Sequence, residues 1–137
     1  MSHLSVTPFL RNVLIADGAM GVVTALVMLL GSDVLQPLLQ LPAWLMLVGG
    51  AVLAAYGLLV GWLSRRGSLP RGLLWALVVF NLAWAFDFAL VAFASWLQPS
   101  ALGQAFLGAH IVAGLLFAQL QYMALQRDRA LGGRVPA

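Results

Sequence analysis

The sequence predicts an all-α, polytopic membrane protein: a four-transmembrane-helix bundle of two parallel-oriented hairpins with both termini cytoplasmic. Three observations carry this. Four long apolar runs fill most of the 137 residues, hydrophobic residues make up 63% of the chain against 8% charged, and every arginine sits at one alternating set of run ends. Soluble domains are roughly a quarter charged, so a water-soluble globule of this composition would lack the polar surface that keeps it dispersed. The runs are Val13–Leu30, Ala43–Leu63, Gly72–Leu97 and Leu102–Ala124, each close to or above the roughly 18–20 apolar residues that cross a bilayer as helix. They use up so much of the chain that residues 1–137 form a single transmembrane domain with no loop large enough to fold separately.

Thr7-Pro8 supplies an N-cap and a first helical position for the first span, and Leu41-Pro42 and Gln98-Pro99 do the same for the second and fourth. The first run is too long for a signal-peptide core and has no small-x-small cleavage site, so it is expected to remain as a span. After it, Asp33, Gln36 and Gln40 interleave with Leu35, Leu38 and Leu39. That mixture suits a short interfacial segment, with a lid over a cavity as the other reading. In the second run, Gly50, Ala54, Gly57 and Gly61 form a small-residue stripe, and such stripes let helices in lipid approach closely. Ala105, Ala109 and Ala113 form a shorter one in the fourth run. Trp44, Trp62, Trp75 and Trp96 lie near run ends as headgroup anchors, whereas Trp84 lies well inside its span.

Arg11 precedes the first run, Arg65, Arg66 and Arg71 separate the second from the third, and Arg127, Arg129 and Arg134 follow the fourth. The other two connections carry no Lys or Arg, so the arginine-bearing ends are expected on the cytoplasmic side. The tail Gly132–Ala137 reads as frayed chain on that side. The net charge of +3 is thereby explained by topology, and no folded platform for nucleic acid remains. The absence of cysteine excludes disulfides and thiolate metal sites. The polar residues of the two hairpins occupy comparable places, Asp17 before Arg65 and Asn81 before Arg127, which admits a tandem two-helix duplication.

Ionisable groups in hydrocarbon need a partner, water or a change of protonation. Asp87 and His110 are nearly equidistant from Pro99, about 16–18 Å along their helices at 1.5 Å per residue, so a hydrogen-bonded pair is expected if both face inward. It would fix helix register, relay a proton or meet a ligand. Asp17, Tyr56, Asn81 and Gln121 lie roughly 9–15 Å inside the arginines of their own helices and form a second layer that can meet as one inward-facing cluster. Trp84 falls between Asn81 and Asp87 in angle as well as in sequence, which allows a small pocket.

Enzyme chemistry is poorly supported. One membrane His and two distant carboxylates are short of a metal ligand set, His3 is expected on a flexible N-terminus, and no phosphate loop, nucleophile elbow or zinc-protease helix occurs. No cofactor is expected.

Arg11-x5-Asp17 opening a four-span chain, Leu41-Pro42, Asn81-Leu82-Ala83-Trp84 and Ala101-Leu102-Gly103 after Pro99 resemble a group of small bacterial inner-membrane proteins. The resemblance covers nearly the whole chain and implies a multi-pass location in the bacterial inner membrane. The Asn81–Trp84 stretch is also similar to an Asn-x-x-Trp segment of the tryptophan-rich sensory proteins, a five-span family that binds tetrapyrroles and sterols.

The expected function is non-catalytic, that of an accessory or small hydrophobic-ligand-binding component with a buried polar core. The alternatives are a small oligomeric proton-coupled transporter of hydrophobic or cationic compounds, and a structural subunit of a larger membrane complex. Expected partners are the bilayer, a second copy or larger complex, and a small hydrophobic ligand.

Overall fold

Capping hydroxyls mark the starts of the first and last helices, and prolines precede two others. Thr7 Oγ1 accepts from Leu10 N at 3.2 Å and Pro8 opens the first helix, because proline lacks only an N–H that the first turn cannot use. The computed structural model describes residues 2–132. Its elements are β1 (His3–Ser5), α1 (Pro8–Leu30), α2 (Ser32–Leu39), α3 (Ala43–Leu63), β2 (Ser68–Pro70), α4 (Arg71–Phe93) and α5 (Ala101–Gly132). The helices α1, α3, α4 and α5 are each long and apolar enough to cross a membrane. The chain is an integral, multi-pass membrane protein.

α1 packs along α3 and α4 along α5, while α1 and α5 join the two hairpins. One buried cluster, including Leu10, Leu14, Val60, Leu74 and Leu125, fills the arginine-bearing end of the bundle. A second, including Met28, Leu41, Met46, Phe88 and Leu107, fills the opposite end. The segment between α1 and α3 forms the short helix α2, closed by Gln40 in the left-handed conformation at φ 53°. Its end abuts α5 so tightly that a Cβ on Gly103 would lie 2.2 Å from Leu39 O.

Several expectations need correction. The third span ends at Phe93, not Leu97, and residues 94–100 run back over α2, where Ser100 N donates to Leu39 O at 3.0 Å. Ser100, not the Gln98-Pro99 pair, caps α5: its Oγ accepts from Gly103 N at 3.0 Å. Likewise Pro42 occupies the N-cap of α3 and not its first helical position. The last helix continues past Ala124 to Gly132, since Arg71 forms an ion pair with Asp128 and donates to Leu125 O at 3.3 Å. His3 is not on free chain: β1 pairs antiparallel with β2, Leu4 against Leu69, and both leucines are buried. Ala105 and Ala109 are exposed, and the close contacts of α5 are made by Gly103 and Gly114 instead. The rest of the tail, including Arg134, lies outside the described residues.

The Gly50–Gly61 stripe does face α1. A Cβ on Gly57 would lie 2.8 Å from Val22 N and 2.9 Å from Gly18 O, and one on Gly18 would lie 2.9 Å from Gly61 N. Gly50 lies against Leu29 and Met28, and Ala54 packs against the second core cluster. Gly61 serves through its backbone, since a Cβ there would meet nothing within 4 Å.

Candidate functional site

Four polar side chains, one from each spanning helix, meet between the two apolar clusters. Asp17 comes from α1, Tyr56 from α3, Asn81 from α4 and Gln121 from α5, and all four are buried. The donors converge on one carboxylate oxygen. Asp17 Oδ2 accepts from Gln121 Nε2 at 2.6 Å, from the Tyr56 hydroxyl at 2.7 Å and from Asn81 Nδ2 at 3.2 Å. Asn81 Nδ2 also faces the Tyr56 oxygen at 2.8 Å and Gln121 Oε1 at 3.2 Å. An amide nitrogen has two protons, so these three acceptors compete for Asn81. No Arg or Lys among the described residues forms an ion pair with Asp17, and neutral donors alone hold the carboxyl. The layer expected from depth alone is therefore a single connected network.

An aromatic column runs along α4 from this network. Phe80 stacks on Tyr56 with centroids 4.0 Å apart, Trp84 follows at 6.0 Å and Phe88 at 4.8 Å from Trp84. The three α4 rings recur every fourth residue, which places them on one helical face. The column ends on α5, where Phe88 stacks against His110 at 5.2 Å and Phe106 lies 4.4 Å from the same imidazole. Phe80, Phe88 and Phe106 were not singled out from the sequence, although the four-residue spacing of Phe80, Trp84 and Phe88 was there to be read.

The expected Asp87–His110 pair does not form. His110 Nδ1 donates to Phe106 O at 2.8 Å, and Nε2 is buried without a partner. Asp87 is exposed on the outer surface of α4. The axial levels of the two residues do match, because the next residue, Phe88, meets His110. One residue is 100° of helical turn, and that turn carries Asp87 away from α5.

Trp84 separates two spaces. On its inner side a cavity of about 30 Å³ is lined by Asp17, Thr24, Tyr56, Asn81 and His110 among others. A water needs about 10–15 Å³ on this measure and two or more polar partners, so the cavity has room and chemistry for one or two. On the outer side a cleft of about 430 Å³ opens laterally between α3 and α4, lined by Trp44, Val48, Gly49, Ala83, Trp84 and Asp87 among others. Asp87 therefore belongs to the cleft, and Trp84 to both spaces. No group of three His, Asp or Glu among the described residues is arranged to hold a metal ion.

Comparison with protein-family models, with curated proteins and with solved structures yields no match. The fold and the site are thus read from this chain's own residues, and no relative supports either resemblance drawn from short motifs.

Proposed function

We propose that this protein is a non-catalytic component of the bacterial inner membrane that takes a small hydrophobic ligand sideways from the bilayer into the cleft between α3 and α4. One observation carries the reading: the cleft of about 430 Å³ with its tryptophan and aliphatic walls. Small-molecule sites are concave, mostly apolar and about 300–1,000 Å³. In the proposed topology the arginine-bearing ends are cytoplasmic, and the cleft lies in the outer half of the bilayer beside Trp44. The buried network behind Trp84 fixes the helices that form its walls.

The reading is tested with radiolabelled triphenylphosphine, a neutral aromatic probe, and the protein in lipid nanodiscs. Saturable binding above that of empty nanodiscs is expected, and Ala83→Phe should remove it by filling the cleft from an exposed position. Binding equal to that of empty nanodiscs would refute it. Reporter fusions at Gly67 and at Gln36 check the topology, with the first expected inside and the second outside.

A second reading, proton-coupled transport by an oligomer, is favoured by the Asp17 carboxyl beside a cavity of water size. It predicts that proteoliposomes exchange protons for the ligand and that Asp17→Asn stops the exchange while leaving binding intact.

A further inference from the structure

Asp87 is an ionisable side chain exposed on the outside of a spanning helix. Such residues almost always face the bundle interior or a water-filled cavity, because a carboxylate in hydrocarbon costs about 2.5–3.5 kcal/mol even by the mildest insertion scales. Asp87 lies six residues from the end of α4, about 9 Å along the axis. It accepts no hydrogen bond from, and makes no ion pair with, any side chain among the described residues.

Among the described residues there is also no cation within reach of Asp87. Arg71, on the same helix, is sixteen residues away, about 24 Å, and the remaining described arginines flank the same end of the bundle as Arg71. The nearest imidazole, His110, lies behind the Phe88 ring. A second copy inserted in the same orientation would present its own arginine-free end at this depth. Unless water or a proton relieves the carboxylate, its counter-charge comes from another molecule. The walls around Asp87 state the rest of its chemistry: Trp44 and Trp84 line the cleft with indole rings, a residue type whose π-system attracts cations, and Val48, Val52 and Leu90 add aliphatic surface.

Resting on the ligand-binding reading above, we infer that the α3–α4 cleft selects lipophilic organic cations: a single ammonium or phosphonium charge on an apolar body, set against Asp87 and between the indoles. Desolvated cation–carboxylate attraction holds the charge, and the cleft volume bounds the body.

The test compares methyltriphenylphosphonium with triphenylphosphine, which share one aromatic body and differ in charge. Binding is measured to the full chain in nanodiscs of phosphatidylglycerol. The cation is expected to bind at least tenfold more tightly than the neutral probe. Asp87→Asn should remove that advantage while changing the affinity for the neutral probe less than twofold. Ala83→Phe should abolish binding of both. If both probes bind equally and Asp87→Asn affects neither, the cleft binds ligands but the selectivity for cations is wrong. If neither probe binds above empty nanodiscs, the ligand-binding reading itself falls. A further arm adds phosphatidylethanolamine: if its ammonium headgroup displaces the phosphonium, the occupant is bilayer lipid and the inference is overturned. Asp87 is exposed, so Asp87→Asn is expected to fold, and a thermal unfolding curve matching the parent verifies this.

Discussion

The interface within the α1–α3 hairpin and the seam between α3 and α4 solve the same problem in opposite ways. In the hairpin, glycines bring backbone against backbone, and a Cβ on Gly57 would lie 2.8 Å from Val22 N. In the seam, rings stand between the helices: Tyr56 stacks on Phe80 at 4.0 Å, and Gly49 is the small residue opposite the Trp84 indole. Lipid gives no hydrophobic drive for helix association, so contact must come from packing or polar bonds. Close packing removes the space between the two backbones, and a hollow of about 760 Å³ lies along the groove beside them, lined by Arg11, Gly18, Gly57, Gly61 and Arg65 among others. Ring-spaced packing leaves a cleft on one side and a small polar cavity on the other, and needs the four-residue hydrogen-bond network to hold the hairpins together.

The sharpest way to break this contrast is to remove the acceptor at the centre of the seam. Asp17→Leu strands donors from Tyr56, Asn81 and Gln121, and with roughly 1–3 kcal/mol for each buried group left unpaired, a loss of about 3 kcal/mol or more is expected. Detergent-titrated unfolding followed by tryptophan fluorescence reads this. Asp17→Asn, which keeps an oxygen in place, should cost about 1 kcal/mol and be less than additive with Tyr56→Phe. A Leu variant as stable as the parent would mean that the network holds nothing together.

Next in size is the hairpin. Gly57→Ala forces a methyl onto the backbone of α1, and overpacking of this kind costs about 1–3 kcal/mol. Gly61→Ala, on the same stripe but with nothing within 4 Å of the added carbon, should stay within about 0.5 kcal/mol of the parent. Equal costs at the two positions would erase the distinction between backbone contact and mere small-residue composition. Smaller again is Phe80→Leu, which removes the stack on Tyr56 and should cost about 0.5–1.5 kcal/mol beyond its lost area.

Axial position was legible in the sequence and azimuth was not. Counting residues from the arginines put Asp17, Tyr56, Asn81 and Gln121 at one level, where they meet. Counting from Pro99 put Asp87 level with His110, yet Phe88 is the residue that turns toward α5. The reason is physical. A helix that is apolar all round has no polar face to fix its rotation, so rotation is set by which small residues and rings fit the neighbours. The end of α4 was hidden for a related reason. Residues 94–97 are apolar enough to continue a span, and the helix yields there to a polar anchor, the Ser100 Oγ bond to Leu38 O at 2.6 Å. The β1–β2 pairing was hidden because two three-residue strands carry no periodicity of their own.

That small ribbon has a consequence for biogenesis. Ser5 is paired with Ser68 across it, and strands that exchange hydrogen bonds must stand on the same side of the bilayer. The chain between them must therefore cross an even number of times. During synthesis β1 emerges first and waits unpaired until α3 has been threaded and β2 has followed. Closure of the ribbon reports that the first hairpin has inserted completely, and a chain with one stalled helix cannot make it. The protein contains no cysteine, so in membranes treated with an added thiol oxidant, which the reducing cytoplasm does not supply, a Ser5→Cys, Ser68→Cys variant would form its disulfide only in correctly threaded chains, a covalent mark of completed insertion.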